Sequence, residues 1–287
     1  MQLTTLIEAD ALRSHQDFAD FVLLDCRFDL AAPGKGRADY IKAHIPGAQY
    51  ADLNQDLSAP VTAASGRHPL PAPGEFARRA GAWGIGNDTA TILYDQANGS
   101  YAARAWWLLR WIGATRIAVL NGGLDAWIRS GGGVESAQAP PPAPRHFERS
   151  LRKSSFVTAD DVGAALTDPA RVLVDARARD RFRGDIEPID PVAGHVPGAT
   201  SFPFTQNLGA DARFLAPEAL RARWEALLRG RSPAGLISMC GSGVTACHNL
   251  LALEIAGLRG AQLYPGSWSE WIRDPARAVA RGGGGGD

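Results

Sequence analysis

Short apolar runs recur along the chain, separated by stretches whose apolar residues fall at helical spacing. "FVLL" (Phe21 to Leu24), "TILY" (Thr91 to Tyr94), "IAVL" (Ile117 to Leu120), "RVLV" (Arg171 to Val174), "LISM" (Leu236 to Met239) and "QLY" (Gln262 to Tyr264) are too short for helices and read as strands. "AARAWWLLRWIG", "APEALRARWEALLRG" and "TACHNLLALEIAG" read as helices, the last stopped by Gly257. Apolar runs bounded on both sides by helices are strands buried on both faces, which predicts parallel sheets covered by helices, an α/β fold. In such sheets ligands bind beyond the carboxyl ends of the strands, and Cys240 directly follows one of those ends.

The pattern occurs twice. Asp25-Cys26-Arg27 after "FVLL" returns as Asp175-Ala176-Arg177 after "RVLV", 150 positions later. "AHIPGA" (Ala43 to Ala48) returns as "GHVPGA" (Gly194 to Ala199), and "IAVLNGGLDAW" returns as "AQLYPGSWSEW". Three landmarks in the same order imply a duplicated unit. At roughly 150 residues per domain, a chain of 287 residues holds two. The expected division is 1–135, a linker over 136–152 rich in Pro, a second domain over 153–280, and a Gly-rich tail over 281–287.

Composition narrows the function classes. The chain carries 30 basic and 30 acidic residues, so no charge imbalance argues for nucleic acid or an anionic membrane as partner. "MQLTTLIEAD" lacks the features of a secretory signal, and no apolar run approaches membrane-spanning length. Three scattered cysteines make no disulfide framework. The expectation is a cytoplasmic protein with reduced thiols.

The stretch "CGSGVTAC" concentrates the chemistry. Cys240 ends a strand, Gly241 and Gly243 permit a tight turn, and a helix follows. Amides there can converge above the positive end of the helix dipole and hold a thiolate or an anionic substrate. The loop alone also fits a glycine turn with buried thiols. It does not fit a phosphate-binding P-loop, which needs a Lys where Val244 follows Gly243, nor a cysteine phosphatase, which needs a closing Arg. Cys240, Cys247 and His248 lack the second ligand pair of a metal site, and no metal or cofactor is predicted. The matching loop of the first half, "LYDQANGSY", carries Asp95 where the second has Cys240, and a carboxylate cannot carry sulfur. Asp25 and Asp175 with their arginines, His44 and His195 in their turns, Cys26, Cys247, Trp106 and Trp107 all read as structural.

These motifs together resemble the tandem-domain sulfurtransferases, the rhodanese and 3-mercaptopyruvate sulfurtransferase family, from about Asp25 to Trp271. The resemblance implies two tandem rhodanese-like domains, the first catalytically silent, and a Cys240 persulfide that carries sulfur from a small anionic donor to a thiol, cyanide or a thioredoxin-like acceptor. Gly241, Gly243, Val244, Thr245 and Ala246 would cradle that sulfur. Rhodaneses proper tend to have basic residues after the cysteine; Gly241-Ser242 is similar to the mercaptopyruvate form. Thiosulfate:cyanide transfer, or a non-catalytic relay module that docks a partner, are the alternatives. The resemblance further implies Ser242 and His68 as proton-moving groups and Arg181 as a carboxylate binder. Two positions depart from it. The family's acidic residue falls at Asn54, with Asp52 and Asp56 as neighbouring substitutes, and its second arginine falls at Ile189, with Arg183 nearby.

Overall fold

The computed structural model describes residues 3, 5–15, 21–152 and 154–283; the rest of the expected Gly-rich tail lies outside the described residues. The chain divides into two compact units. Unit 1 comprises Met1–Ala59, Leu70–Arg152 and Gly209–Phe214, and unit 2 comprises Pro60–Pro69, Lys153–Leu208 and Leu215–Asp287. Two short segments are thus counted with the other half's unit, which no local pattern in the sequence signals.

Unit 1 holds strands β1 (Leu6–Ile7), β2 (Phe21–Asp25), β3 (Gln49–Tyr50), β4 (Ala90–Tyr94) and β5 (Ile117–Leu120), with helices α1 (Ala9–Arg13), α2 (Lys35–Lys42), α3 (Pro73–Ala82), α4 (Ala102–Ile112) and α5 (Gly123–Arg129). Its sheet runs in the order β1-β5-β4-β2-β3, with every pair parallel. Unit 2 holds β6 (Val172–Asp175), β7 (Thr200–Ser201), β8 (Leu236–Met239) and β9 (Gln262–Leu263), with α6 (Ala159–Ala165), α7 (Arg179–Arg183), α8 (Pro217–Leu228), α9 (Thr245–Ile255) and α10 (Ser267–Trp271). Its sheet runs β7-β6-β8-β9, again all parallel. The six strands expected from apolar runs are present. β1, β3 and β7 escape such a reading because two residues show no period.

Every residue of β4 and of β8 is buried, as a strand covered on both faces requires. The core of unit 1 gathers around Leu12, Ile45, Ile92 and Trp127, and that of unit 2 around Val162, Phe182, Ile237 and Trp268. Trp106 and Trp107 are buried too. No helix among the described residues is long and apolar enough to cross a membrane.

The repeated Asp-x-Arg pairs fasten each sheet to its following turn. Arg27 reaches both oxygens of Asp25, at 2.6 Å for the shortest contact, and donates to the carbonyl of Ala43 at 2.7 Å. Arg177 repeats this with Asp175 and the carbonyl of Gly194. Both carboxylates are fully buried, so each depends on its guanidinium for charge compensation. His44 stacks on Tyr40 and bonds its carbonyl, and His195 does the same with Phe182. These histidines lock the "HxPGA" turns.

Residues 136–152 have no regular secondary structure apart from their bends. They lie along unit 1, with Ala139 and Phe147 buried.

Candidate active site

The loop after β8 is built by constraints at both ends. Gly243 has φ +77°, and a Cβ there would lie 2.3 Å from the carbonyl oxygen of Pro265. Only glycine meets both conditions. The first turn of α10 grips the loop from the other side: Trp268 N–H donates to the Cys240 carbonyl at 3.0 Å, and Ser269 N–H to that of Gly241 at 2.9 Å. Ser267 Oγ accepts from Cys240 N–H at 3.0 Å. The repeated glycine-then-tryptophan landmark therefore has a job, which is to hold the loop's carbonyls down. In unit 1 the N–H groups of Leu124 and Asp125 hold the carbonyls of Asp95 and Gln96 in the same way.

With its carbonyls held, the loop turns its amides elsewhere. The N–H groups of Ser242, Val244, Thr245 and Ala246 have no protein acceptor among the described residues. They sit at the start of α9, eleven residues long, whose dipole adds to their pull on an anion. Unit 1 contains the control. There the Asp95 carboxylate occupies the equivalent loop, accepting from Gly99 N–H at 3.0 Å and Tyr101 N–H at 2.9 Å, with Ala102 at 3.3 Å. Burial pushes the Asp95 carboxyl above its ordinary value, and those backbone bonds pull against it. An anion attached at this chain position thus reaches the loop's amides. Unit 1 fills its cradle with its own side chain, whereas unit 2 puts a thiol at that position.

Cys240 is 2% exposed. Arg177 lies near it, stacked over the Trp268 ring at 4.8 Å. Burial opposes the charge on Arg177, but Asp175 outweighs it, with smaller contributions from Glu187 and Cys240, and the guanidinium is held above its ordinary value. Cys247 points its thiol at the carbonyl of Gly243, 3.3 Å away, and Cys26 is buried in unit 1, where burial and then Asp25 push its thiol up.

His68 Nδ1 lies 2.7 Å from Ser242 Oγ, both groups buried. The segment Pro60–Pro69 belongs to unit 2, and Arg67 N–H bonds Ser269 Oγ at 3.1 Å. Gly66 allows this approach, because a Cβ there would meet the Gly266 carbonyl oxygen at 2.5 Å. The structure thus brings His68 to Ser242 from 174 positions away.

Arg181 also stands at the loop. A Cβ on Gly241 would lie 3.7 Å from both its terminal nitrogens, and 2.8 Å from Nη2 of Arg67. Sequence reasoning missed Arg67. Its one available signal was adjacency to His68 in "GRHPLP". Both guanidiniums are braced by carboxylates: Arg181 by Glu187 at 2.7 Å and Asp190 at 3.2 Å, and Arg67 by Asp190. Burial pushes the Asp190 carboxyl up despite both arginines, whereas at Glu187 burial is outweighed by the sum of the Arg181 hydrogen bond and charge and the backbone bonds from Asp190 and Ile189, and the carboxyl is lowered.

The other positions weighed from sequence are engaged elsewhere. Ile189 is 44% exposed, and Arg183 pairs with Asp185 at 2.7 Å, half-exposed. Asn54 is exposed on unit 1, on a turn capped by Asp52, and Asp56 pairs with Arg79 at 3.1 Å.

Comparison with known proteins adds three findings. The rhodanese-like domain family matches twice, over residues 8–130 and 158–274. A Pseudomonas aeruginosa protein named "Probable 3-mercaptopyruvate sulfurtransferase" is 49% identical over 98% of this chain and 100% of its own length, and the thiosulfate sulfurtransferase of Bos taurus is 33% identical over 96% and 94%. The solved 3-mercaptopyruvate sulfurtransferase from Leishmania major superposes with a TM-score of 0.82 at 29% identity, covering 95% of this chain and 76% of that one.

Proposed function

Because the chain belongs to the rhodanese-like family through both of its halves, we propose that Cys240 is the sulfur carrier of a 3-mercaptopyruvate sulfurtransferase. The chain is a sulfurtransferase by its relatives, and mercaptopyruvate is the favoured donor. One observation supports the assignment of the carrier: in unit 1 the Asp95 carboxylate fills its loop's amides, whereas beside Cys240 the N–H groups of Ser242, Val244, Thr245 and Ala246 have no protein acceptor among the described residues.

The Cys240 thiolate attacks the thiol sulfur of the donor, and a new S–S bond forms. The donor's C–S bond breaks, and its electron pair stays on carbon as the enolate of pyruvate. That carbon takes up the proton released from the donor's thiol, so pyruvate leaves and the Cys240 persulfide anion remains. Ser242 and His68, 2.7 Å apart, move that proton. The amides of Val244, Thr245 and Ala246, with Gly243, stabilise the persulfide. An acceptor thiolate, or cyanide, then attacks the outer sulfur and Cys240 leaves as thiolate, which completes a ping-pong cycle.

Arg67 and Arg181 supply the donor's carboxylate with two guanidiniums, and Gly241 keeps the space before them open. This arrangement offers a substitute for the family's second arginine, absent at Ile189. Three free, buried cysteines suit a reducing compartment, and we assign the protein to the cytoplasm.

Intact mass after donor treatment tests the carrier. Wild-type protein gains one sulfur atom and Cys240→Ser gains none; a Cys240→Ser chain that still gains sulfur refutes the assignment. Parallel kinetics with 3-mercaptopyruvate and thiosulfate test the donor, and a preference for thiosulfate rejects mercaptopyruvate.

A further inference from the structure

The duplication allows one more comparison. In unit 1 the chain from Ala137 onward crosses the edge of the sheet and the end of α3. Ala137 N–H bonds the Ile41 carbonyl at 2.8 Å, Gln49 on edge strand β3 donates to the Pro140 carbonyl at 3.0 Å, and Arg145 N–H bonds the Gly81 carbonyl at 2.9 Å. Pro142 packs on Gly84, just past α3, and Ala139 and Phe147 are buried along this path. An extended segment, three of whose residues are consecutive prolines, fills the groove.

Unit 2 follows the same course at first. Ala280 pairs with His195 as Glu135 pairs with His44, and Gly282 N–H bonds the Arg183 carbonyl at 2.9 Å, as Ala137 does to Ile41. Beyond that point no described residue continues along edge strand β7. The corresponding place is a cavity of about 380 Å³ between β7, the start of β6 and the end of α8. Gly230, the counterpart of Gly84, has open space where its Cβ would point.

The chemistry of this cavity is one-sided. Arg171, Arg179, Arg229 and Arg231 line it, and no Asp or Glu does. Among the described residues, Arg171, Arg229 and Arg231 have no carboxylate within ion-pair distance. Arg171 Nε and Ser201 Oγ, both buried, have no hydrogen-bond acceptor. In a chain of zero net charge, these three arginines around one concavity make a local field for an anion.

We infer that this groove of unit 2 docks an extended, acidic segment of a partner protein, in the manner in which residues 137–147 lie on unit 1. The shape follows from the duplicate, and the charge of the occupant follows from the arginines. An extended proline-rich backbone loses little entropy on docking, and the carboxylates supply charge-assisted bonds to the guanidiniums.

The test is fluorescence anisotropy on the full chain with a labelled peptide of about ten residues alternating Glu and Pro, beside Gln–Pro and Lys–Pro controls. The Glu–Pro peptide binds, and its affinity falls at least about tenfold between about 50 and 500 mM salt. The double variant R229E/R231E loses at least about tenfold in affinity, while its turnover with the small sulfur donor stays at the wild-type rate. Equal binding of Glu–Pro and Gln–Pro peptides, no binding of either, or unchanged affinity in the double variant would overturn the inference. So would a short single-stranded oligonucleotide that binds more tightly and displaces the peptide, which would make the groove a nucleic-acid site. Affinity that appears only after removal of residues 283–287 would assign the groove to the chain's own tail. Sulfur transfer by Cys240 is a separate readout, so failure here leaves that assignment standing.

Discussion

Substituting Ala at Gly243 puts the construction of the loop to its sharpest test. Two costs add. At φ +77° a side chain costs about 1–2 kcal/mol. The new methyl group would lie 2.3 Å from the Pro265 carbonyl oxygen, and ordinary contact begins at 3.4 Å, so loop and turn must separate by 3.4 − 2.3 = 1.1 Å. Strain of that kind costs roughly 1–3 kcal/mol, and the two costs together come to about 2–5 kcal/mol. The displacement falls on Pro265 to Ser269, which hold Cys240 N–H and the carbonyls of Cys240 and Gly241. A misplacement of about 1 Å is worth roughly 100-fold in rate. Urea unfolding measures the first effect, and single-turnover formation of the mass-shifted Cys240 adduct measures the second. Gly241→Ala is the control, because its Cβ meets no backbone, only the far ends of the Arg67 side chain at 2.8 Å and the Arg181 side chain at 3.7 Å. It keeps near-native stability and raises KM for the donor. If Gly243→Ala unfolds at the wild-type urea concentration and loads sulfur at the wild-type rate, the account of the cradle is wrong.

Further outcomes follow from the same contacts. Arg27→Met strands the fully buried Asp25 carboxylate and lowers stability by about 3–5 kcal/mol, whereas the pair Arg27→Met with Asp25→Leu recovers most of it in urea unfolding. Cys247→Ala leaves loading of Cys240 at the wild-type rate; loss of loading would make Cys247 a participant rather than a packing residue. Glu187 is held below its ordinary value of 4.5, so its contribution to stability is present above that pH and lost as pH falls through the lowered value. The urea midpoint of Glu187→Gln accordingly depends less on pH on the acid side than that of the wild type.

The residues of the candidate site were legible to different depths. The duplication, the parallel strands and the Cys240 loop all lie within a few consecutive residues, where apolar period and glycine placement speak directly. His68 and Ser242 came only through family resemblance, since nothing local links residues 174 positions apart. Arg67 was not legible at all. One guanidinium among 30 basic residues acquires its role from where the chain carries Gly66, whose missing side chain lets the segment lie against Gly266 and Ser269.

By itself, then, the sequence determined a duplicated parallel α/β chain with a Cys-Gly-Ser-Gly loop after a strand in one copy and an aspartate in its place in the other. Strand burial and turn geometry are set by neighbours in sequence. Only the tertiary structure decided that the Asp95 carboxylate accepts from its own loop's amides, whereas beside Cys240 those of Ser242, Val244, Thr245 and Ala246 have no protein acceptor among the described residues. It also decided which arginines face Gly241 and which arginines line the cavity beside β7. Hydrogen-bond partners and charge fields act over a few ångströms of space, and the distance along the chain carries no record of them.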